Sequence, residues 1–155
     1  THGGSLRIYI KKNLKTKIEK SVGVLLKEEE KFGIKNYRTY QDFAKKIYKI
    51  RDNVKKNILK LKNNNNNIIG YGSPAKATTA LNFFGISNEI TYIVEDNKLK
   101  QGKLLPGMNI PIISKSKIKE KPDCALVLAW NFFDEIKRKN SDLAHKFISI
   151  KDLEN

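Results

Sequence analysis

The sequence predicts an α/β fold in which a mostly parallel sheet carries helices on both faces, preceded by an N-terminal strand and two amphipathic helices. Three features predict it. From Ile68 onward, short and nearly continuous apolar runs recur. Helical patterns alternate with those runs, and a glycine turn, Gly70-Tyr71-Gly72-Ser73-Pro74-Ala75, joins the first run to the first helix. At 155 residues and 39% hydrophobic, the chain can bury one core and carry an extension.

The opening residues Ser5-Leu6-Arg7-Ile8-Tyr9-Ile10 alternate as a half-buried strand does. Val22, Leu25, Leu26 and Phe32 then recur at helical spacing, with Gly33 as the stop. A second, stronger helix follows: Tyr40, Phe43, Ile47, Ile50, Val54, Ile58 and Leu61 step by threes and fours, with Thr39 placed as N-cap. Its other face carries Lys45, Lys46, Lys49, Lys55, Lys56 and Lys60, a solvated face before it is a binding one. The apolar stripe suits either the core or contact with a preceding domain. The asparagine tract Asn63–Asn67 ends this helix, and we divide the chain into residues 1–66 and 67–155 there.

In the second part the pattern predicts strands over Asn67–Tyr71, Thr91–Val94, Ile110–Ile113, Ala125–Ala129 and Phe147–Ile148. Helices are predicted over Pro74–Phe84 and Phe132–Lys139, with a single turn near Ser114–Lys119. The arrangement is Rossmann-like. In such sheets ligands bind beyond the carboxyl ends of the strands, and three segments of this chain arrive there.

The first is the turn Gly70–Ala75, which fits the G-x-G-x-x-A form of a dinucleotide fingerprint. Gly70 and Gly72 allow close backbone approach, Tyr71 lies between them, Ser73 can cap the next helix, and Pro74 suits its first turn. With Lys76 nearby, that helix start is an anion site, although a tight turn also serves helix-on-sheet packing alone. The second is Val94-Glu95-Asp96-Asn97, where Asp96 is a candidate for ribose or sugar hydroxyls, or an Asx-turn acceptor. The third is Ala129-Trp130-Asn131: Trp130 floors a pocket or plugs the sheet top, and Asn131 offers an amide or serves as N-cap.

Other chemistries find no residues. Cys124 is the only cysteine and lies in an apolar run, as a buried small hydrophobe does. The histidines, His2 and His145, are far apart, so no zinc cluster forms in the sequence. There is no G-x-S-x-G elbow and no P-loop. The net charge of +15 raises nucleic acid as a partner, but only Arg7, Arg38, Arg51 and Arg138 are arginines among 31 basic residues, which disfavours it. No apolar run reaches membrane-spanning length and the start lacks a signal-peptide layout, so a cytoplasmic protein is expected. Because the chain opens on Thr1 and directly on a strand pattern, we expect it to be part of a longer protein.

Taken together, His2-Gly3-Gly4-Ser5-Leu6-Arg7, the Gly70–Lys76 turn, Glu95-Asp96-Asn97-Lys98-Leu99-Lys100-Gln101-Gly102-Lys103-Leu104-Leu105-Pro106-Gly107, Ile110-Pro111 and Ala129-Trp130-Asn131 carry a resemblance over nearly the whole chain. The sequence resembles the C-terminal domain of S-adenosylmethionine-dependent C-methyltransferases, including those that methylate nucleotide-linked deoxysugars. The resemblance implies that a zinc-binding region and a class I methyltransferase domain precede this one. Gly4–Ile10 resembles the last strand of that methyltransferase domain. S-adenosylmethionine, the zinc and the catalytic base would then be held upstream. There the base would remove an acidic proton beside a carbonyl, and the carbanion would attack the methyl group.

For this chain the resemblance implies substrate recognition. The amides around Gly72 and Ser73 together with Lys76 would take phosphate, and Asp96 would take hydroxyls. The Lys98–Gly107 loop, with Lys100, Gln101 and Gly102, would act as a lid. One position departs from the family, Ala77 standing where members commonly have glycine. Two other readings stand beside this one: a freestanding NAD- or nucleotide-binding module, and a non-catalytic basic interaction domain using the lysine-faced helix.

Overall fold

The computed structural model describes residues 4–13, 15, 17–64 and 66–155. His2 and Gly3 of the opening motif lie outside the described residues. The chain forms two compact units, Thr1–Ile47 and Tyr48–Asn155.

In the first unit, α1 (Lys20–Phe32) ends at Gly33, whose φ of 82° is the left-handed conformation that a C-capping glycine adopts without strain. The Gly33 N–H closes the helix by donating to the Glu29 and Glu30 carbonyls. Then α2 (Tyr37–Asn63) begins. The expected cap, Thr39, donates its hydroxyl to the Gly33 carbonyl instead, and Asn36 accepts from the Arg38 N–H at 3.0 Å. The helix starts earlier than the apolar period predicts because an asparagine three residues upstream of Thr39 caps equally well. Ser5–Ile10, expected as a strand, belongs to no sheet. Alternation marks a half-buried strand only where a neighbouring strand supplies the ladder.

The second unit is a parallel sheet of five strands in the order β3-β2-β1-β4-β5: β1 Ile68–Tyr71, β2 Ile93–Val94, β3 Ile112–Ile113, β4 Cys124–Val127 and β5 Lys146–Ser149. All five lie where the apolar runs place them. Central β1 pairs with β2 at Gly70 and Tyr71, and with β4 along its whole length. The chain builds outward from β1 to β3 and then returns to lay β4 on the other side, so the strand order reverses between β1 and β4. That reversal opens a crevice at their carboxyl ends.

Side-chain alternation along β1 sorts the core into two layers. Ile68 and Gly70 face a cluster with Val54 and Ile58 of α2, Ala77, Leu81 and Phe84 of α3 (Ala75–Phe84), and Leu126 and Leu128. Ile69 and Tyr71 face the second layer with Val94, Ala125, Leu143 and Ile136 of α4 (Phe133–Lys139). Helices therefore cover both faces, as the near-continuous apolar strands require. The later part of the α2 stripe, Ile50 to Leu61, serves this core. Asn53 and Asn57 of the same helix donate to the Glu154 and Leu153 carbonyls and hold the end of the chain against it. Cys124 is buried in β4, and burial pushes its thiol up to about 11, so it behaves as a small apolar residue.

Gly70 is a packing requirement. A Cβ there would stand 2.9 Å from Ile93 Cγ1 and 3.0 Å from Leu128 Cδ1, both fully buried and unable to withdraw. Gly70→Ala is therefore expected to destabilise the fold by about 1–3 kcal/mol through overpacking. Urea unfolding followed by circular dichroism measures this, and an unchanged midpoint would refute the packing argument.

Candidate functional site

β1 leaves the sheet at Tyr71 and turns at once. Gly72 takes φ 81°, and a Cβ on it would stand 3.3 Å from the Ala129 Cβ, so only glycine lets the turns after β1 and β4 approach this closely. Pro74 then occupies the N-cap position of α3, which carries no side-chain cap. Ser73 does not cap the helix as expected. Its N–H and hydroxyl both donate to Glu95 Oε2, at 2.8 and 2.6 Å.

Glu95 follows β2 directly and is the hub of the site. Its other oxygen accepts from the Asn97 N–H at 3.0 Å, and its backbone carbonyl accepts from Gln101 Nε2 at 2.7 Å. Lys100 donates to the Ser73 carbonyl at 2.8 Å and sits 3.8 Å from Glu95 Oε2. Burial alone would raise this carboxyl, but the hydrogen bonds from Ser73 and Asn97 and the Lys100 charge outweigh it, holding Glu95 below its ordinary range. The Lys98–Gly107 loop is thus fastened to the β1 turn. Its far part bonds β3 and the segment leading into it: Gly102 N–H donates to the Ile112 carbonyl and Leu105 N–H to the Ile110 carbonyl.

On the α4 side of the sheet, Tyr71 donates its hydroxyl to Asp96 Oδ2 at 2.9 Å. Burial first, then the Asp96 hydrogen bond and charge, push the phenol up to about 12, so it stays protonated and keeps donating. The Asx-turn reading belongs to the next residue, since Asn97 Oδ1 accepts from the Leu99 N–H. Tyr71, Gly72, Ser73, Asp96 and Lys100 of the predicted set line one cleft of about 470 Å³. Glu95 joins them, and the opposite wall is Ala129, Phe132, Glu135, Ile136, Lys139 and Asn140, with Lys139 paired to Glu135 at 2.6 Å.

The other predicted residues lie elsewhere. Gly70 is inside β1, and Gln101 and Gly102 brace the loop. Lys76 Nζ stands 4.3 Å from the Trp130 ring centroid, a cation–π pair, and Trp130 packs against the α2/α3 layer. Asn131 is exposed within the 3-10 turn Trp130–Phe132, and the N-cap position of α4 is Phe132. The strand β4 stops at Val127, and the 3-10 turn lies between it and α4.

Sequence reasoning missed Glu95 and the α4 wall. Phe132, Glu135, Ile136, Lys139 and Asn140 fall at i, i+3, i+4, i+7 and i+8, the spacing of one helical face, and that signal was present. For Glu95 the available signal was its place as the first carboxylate after the apolar run. Among the described residues no group of three or more His, Cys, Asp or Glu is placed to hold a metal ion, and no helix is long and apolar enough to cross a membrane.

Because folding lowers the Glu95 pKa, the stabilisation it supplies is present above its ordinary value of 4.5 and is lost as pH falls through the lower folded value. Glu95→Gln is expected to cost about 1–3 kcal/mol at neutral pH, since a charged acceptor serving three protein donors is replaced by a neutral amide. The variant should also lack this part of the acid-side stability loss. Urea midpoints for both proteins across the acid range test the pair of statements, and parallel pH profiles would contradict them.

The family described as the C-methyltransferase C-terminal domain matches residues 1–149. Over 138 residues the chain is 33% identical to the C-methyltransferase NovU of Streptomyces niveus, covering 87% of this chain and 33% of that protein. The chain therefore spans about a third of the length of this curated relative. With the parallel sheet, its strand-order reversal and the glycine turn at the crevice already in place, the match leads to one assignment: the chain belongs to the C-methyltransferase C-terminal domain family.

Proposed function

We propose that this domain binds the substrate of a methyltransferase that moves a methyl group from S-adenosylmethionine to a carbon of a nucleotide-linked deoxysugar or a related phosphorylated small molecule. The observation that carries the reading is the cleft at the strand-order reversal, where Tyr71, Asp96, Asn140 and the Glu135–Lys139 pair converge. Carboxylates and amides set into a cleft are the groups that hold sugar hydroxyls. Asp96 has its Oδ2 fixed by Tyr71, which sets the orientation of the carboxylate toward a ligand hydroxyl. The start of α3, without a side-chain cap, offers its first N–H groups to a phosphate, and Lys76 lies in that same first turn.

In a nucleotide-binding sheet of this kind, the carboxylate after the second strand holds the ribose hydroxyls. Here Glu95 has both oxygens committed to Ser73 and Asn97, which leaves Asp96 as the carboxylate for a ligand hydroxyl. S-adenosylmethionine, and any zinc of the parent enzyme, would be held by the polypeptide preceding this domain, and so would the base. The part of this chain is to bind and orient. Ser73, Lys100 and Gln101 keep the turn and the loop in place, while Asp96, Tyr71, Asn140 and Lys76 meet the ligand.

In the enzyme that includes the preceding domain, Asp96→Ala is expected to weaken sugar-nucleotide binding by about 1.5–3 kcal/mol, roughly tenfold or more, leaving S-adenosylmethionine affinity unchanged. Isothermal titration with each ligand measures this. A sugar-nucleotide affinity equal to the unmodified enzyme's, in a variant that melts normally, would end the proposal.

A further inference from the structure

α1 is a thirteen-residue helix in which no residue is buried. Its apolar side chains face water: Val22 is 46% exposed, Leu26 59% and Phe32 73%. Val22, Leu25 and Leu26 fall at i, i+3 and i+4 and form one stripe, with Lys20, Lys27 and Lys31 on the opposite face of the helix. Just beyond the helix the same unit exposes Ile34, Tyr37, Tyr40 and Phe43. A helix of this length is marginal in water by itself, and most helical stability in proteins comes from packing an apolar face. An exposed apolar stripe on a helix whose other face is charged marks an interaction surface.

We propose that the α1 stripe is the seat of the domain that precedes this one in the same polypeptide. The family is a C-terminal domain by description, and this chain accounts for only 33% of the length of NovU. In such a protein the remaining two thirds lie chiefly on the N-terminal side, adjoining the unit that carries the stripe. The occupant is covalently attached, so a modest apolar face suffices, because the linked partner is present at high effective concentration. The proposal rests on the reading that a catalytic domain precedes this chain. It adds which surface receives that domain.

Hydrogen exchange by mass spectrometry on the complete polypeptide tests it. The α1 amides should be protected to the same degree at every protein concentration. Val22→Asp with Leu26→Asp should speed their exchange by about tenfold or more, together with one surface patch of the preceding domain, while β1 and β4 peptides stay unchanged. Unprotected α1 amides in the unmodified polypeptide would overturn the proposal, and this result does not depend on the variant folding. Protection that falls on dilution, with a dimer dissociating, assigns the face to a second copy and overturns it. Exposure changes confined to residues 48–155 would do the same by showing that the chain covers its own stripe. A normal sugar-nucleotide affinity for Asp96→Ala, with α1 protected as described, would remove the substrate reading and leave this surface standing.

Discussion

The crevice of this domain depends on one carboxylate. Glu95 stands at the end of β2, yet what it holds is the turn leaving β1: two hydrogen bonds from Ser73 fix the chain where it changes direction after the central strand. Lys100 completes the arrangement by bonding the Ser73 carbonyl from the other side. The end of one strand, the start of a helix and a long loop are thereby joined through a single half-buried charge. Such a charge is tolerable because donors and a cation surround it, and it would be costly if any of them were withdrawn.

That joining fixes what the crevice can present. With Glu95 turned inward, the groups left for a ligand are those on the α4 side of the sheet, Tyr71, Asp96 and Asn140, and those at the start of α3. The alternation of β1 decides the split. Tyr71 points into the α4 layer, whereas Gly70 leaves room for Ile93 and Leu128 in the α2/α3 layer, where Trp130 also packs. On the proposed reading, hydroxyl recognition and anion recognition would fall on opposite sides of the central strand. That division suits a ligand with a sugar at one end and a phosphate at the other.

The two units differ in how they satisfy their apolar residues. The second closes its core almost completely: Ile58, Ile68, Ile69, Leu81, Ile93, Leu126 and Leu128 are fully buried. In the first, the stripe of α1 remains open. The proposed seat for a preceding domain would account for that asymmetry, since a domain that works beside another keeps one face unfinished.

The sequence by itself determined the layered α/β class, the position of all five strands, the termination of α1 at Gly33 and the glycine turn at the crevice. These follow from local quantities, namely apolar period, strand length and the backbone freedom of glycine, each legible within a few residues. It also brought Tyr71, Gly72, Ser73, Asp96 and Lys100 to one edge. Only the tertiary structure decided what those residues do. Adjacent in sequence, Glu95 and Asp96 are equivalent by composition, and the sheet turns one to Ser73 and the other to Tyr71. Ser73 has good capping chemistry, but Pro74 takes the N-cap position and Ser73 bonds Glu95 instead. Ser5–Ile10 alternates as a strand and joins no sheet, because a strand is defined by its neighbour. Hydrogen-bond partners distant along the chain are set by packing, and no local pattern encodes them.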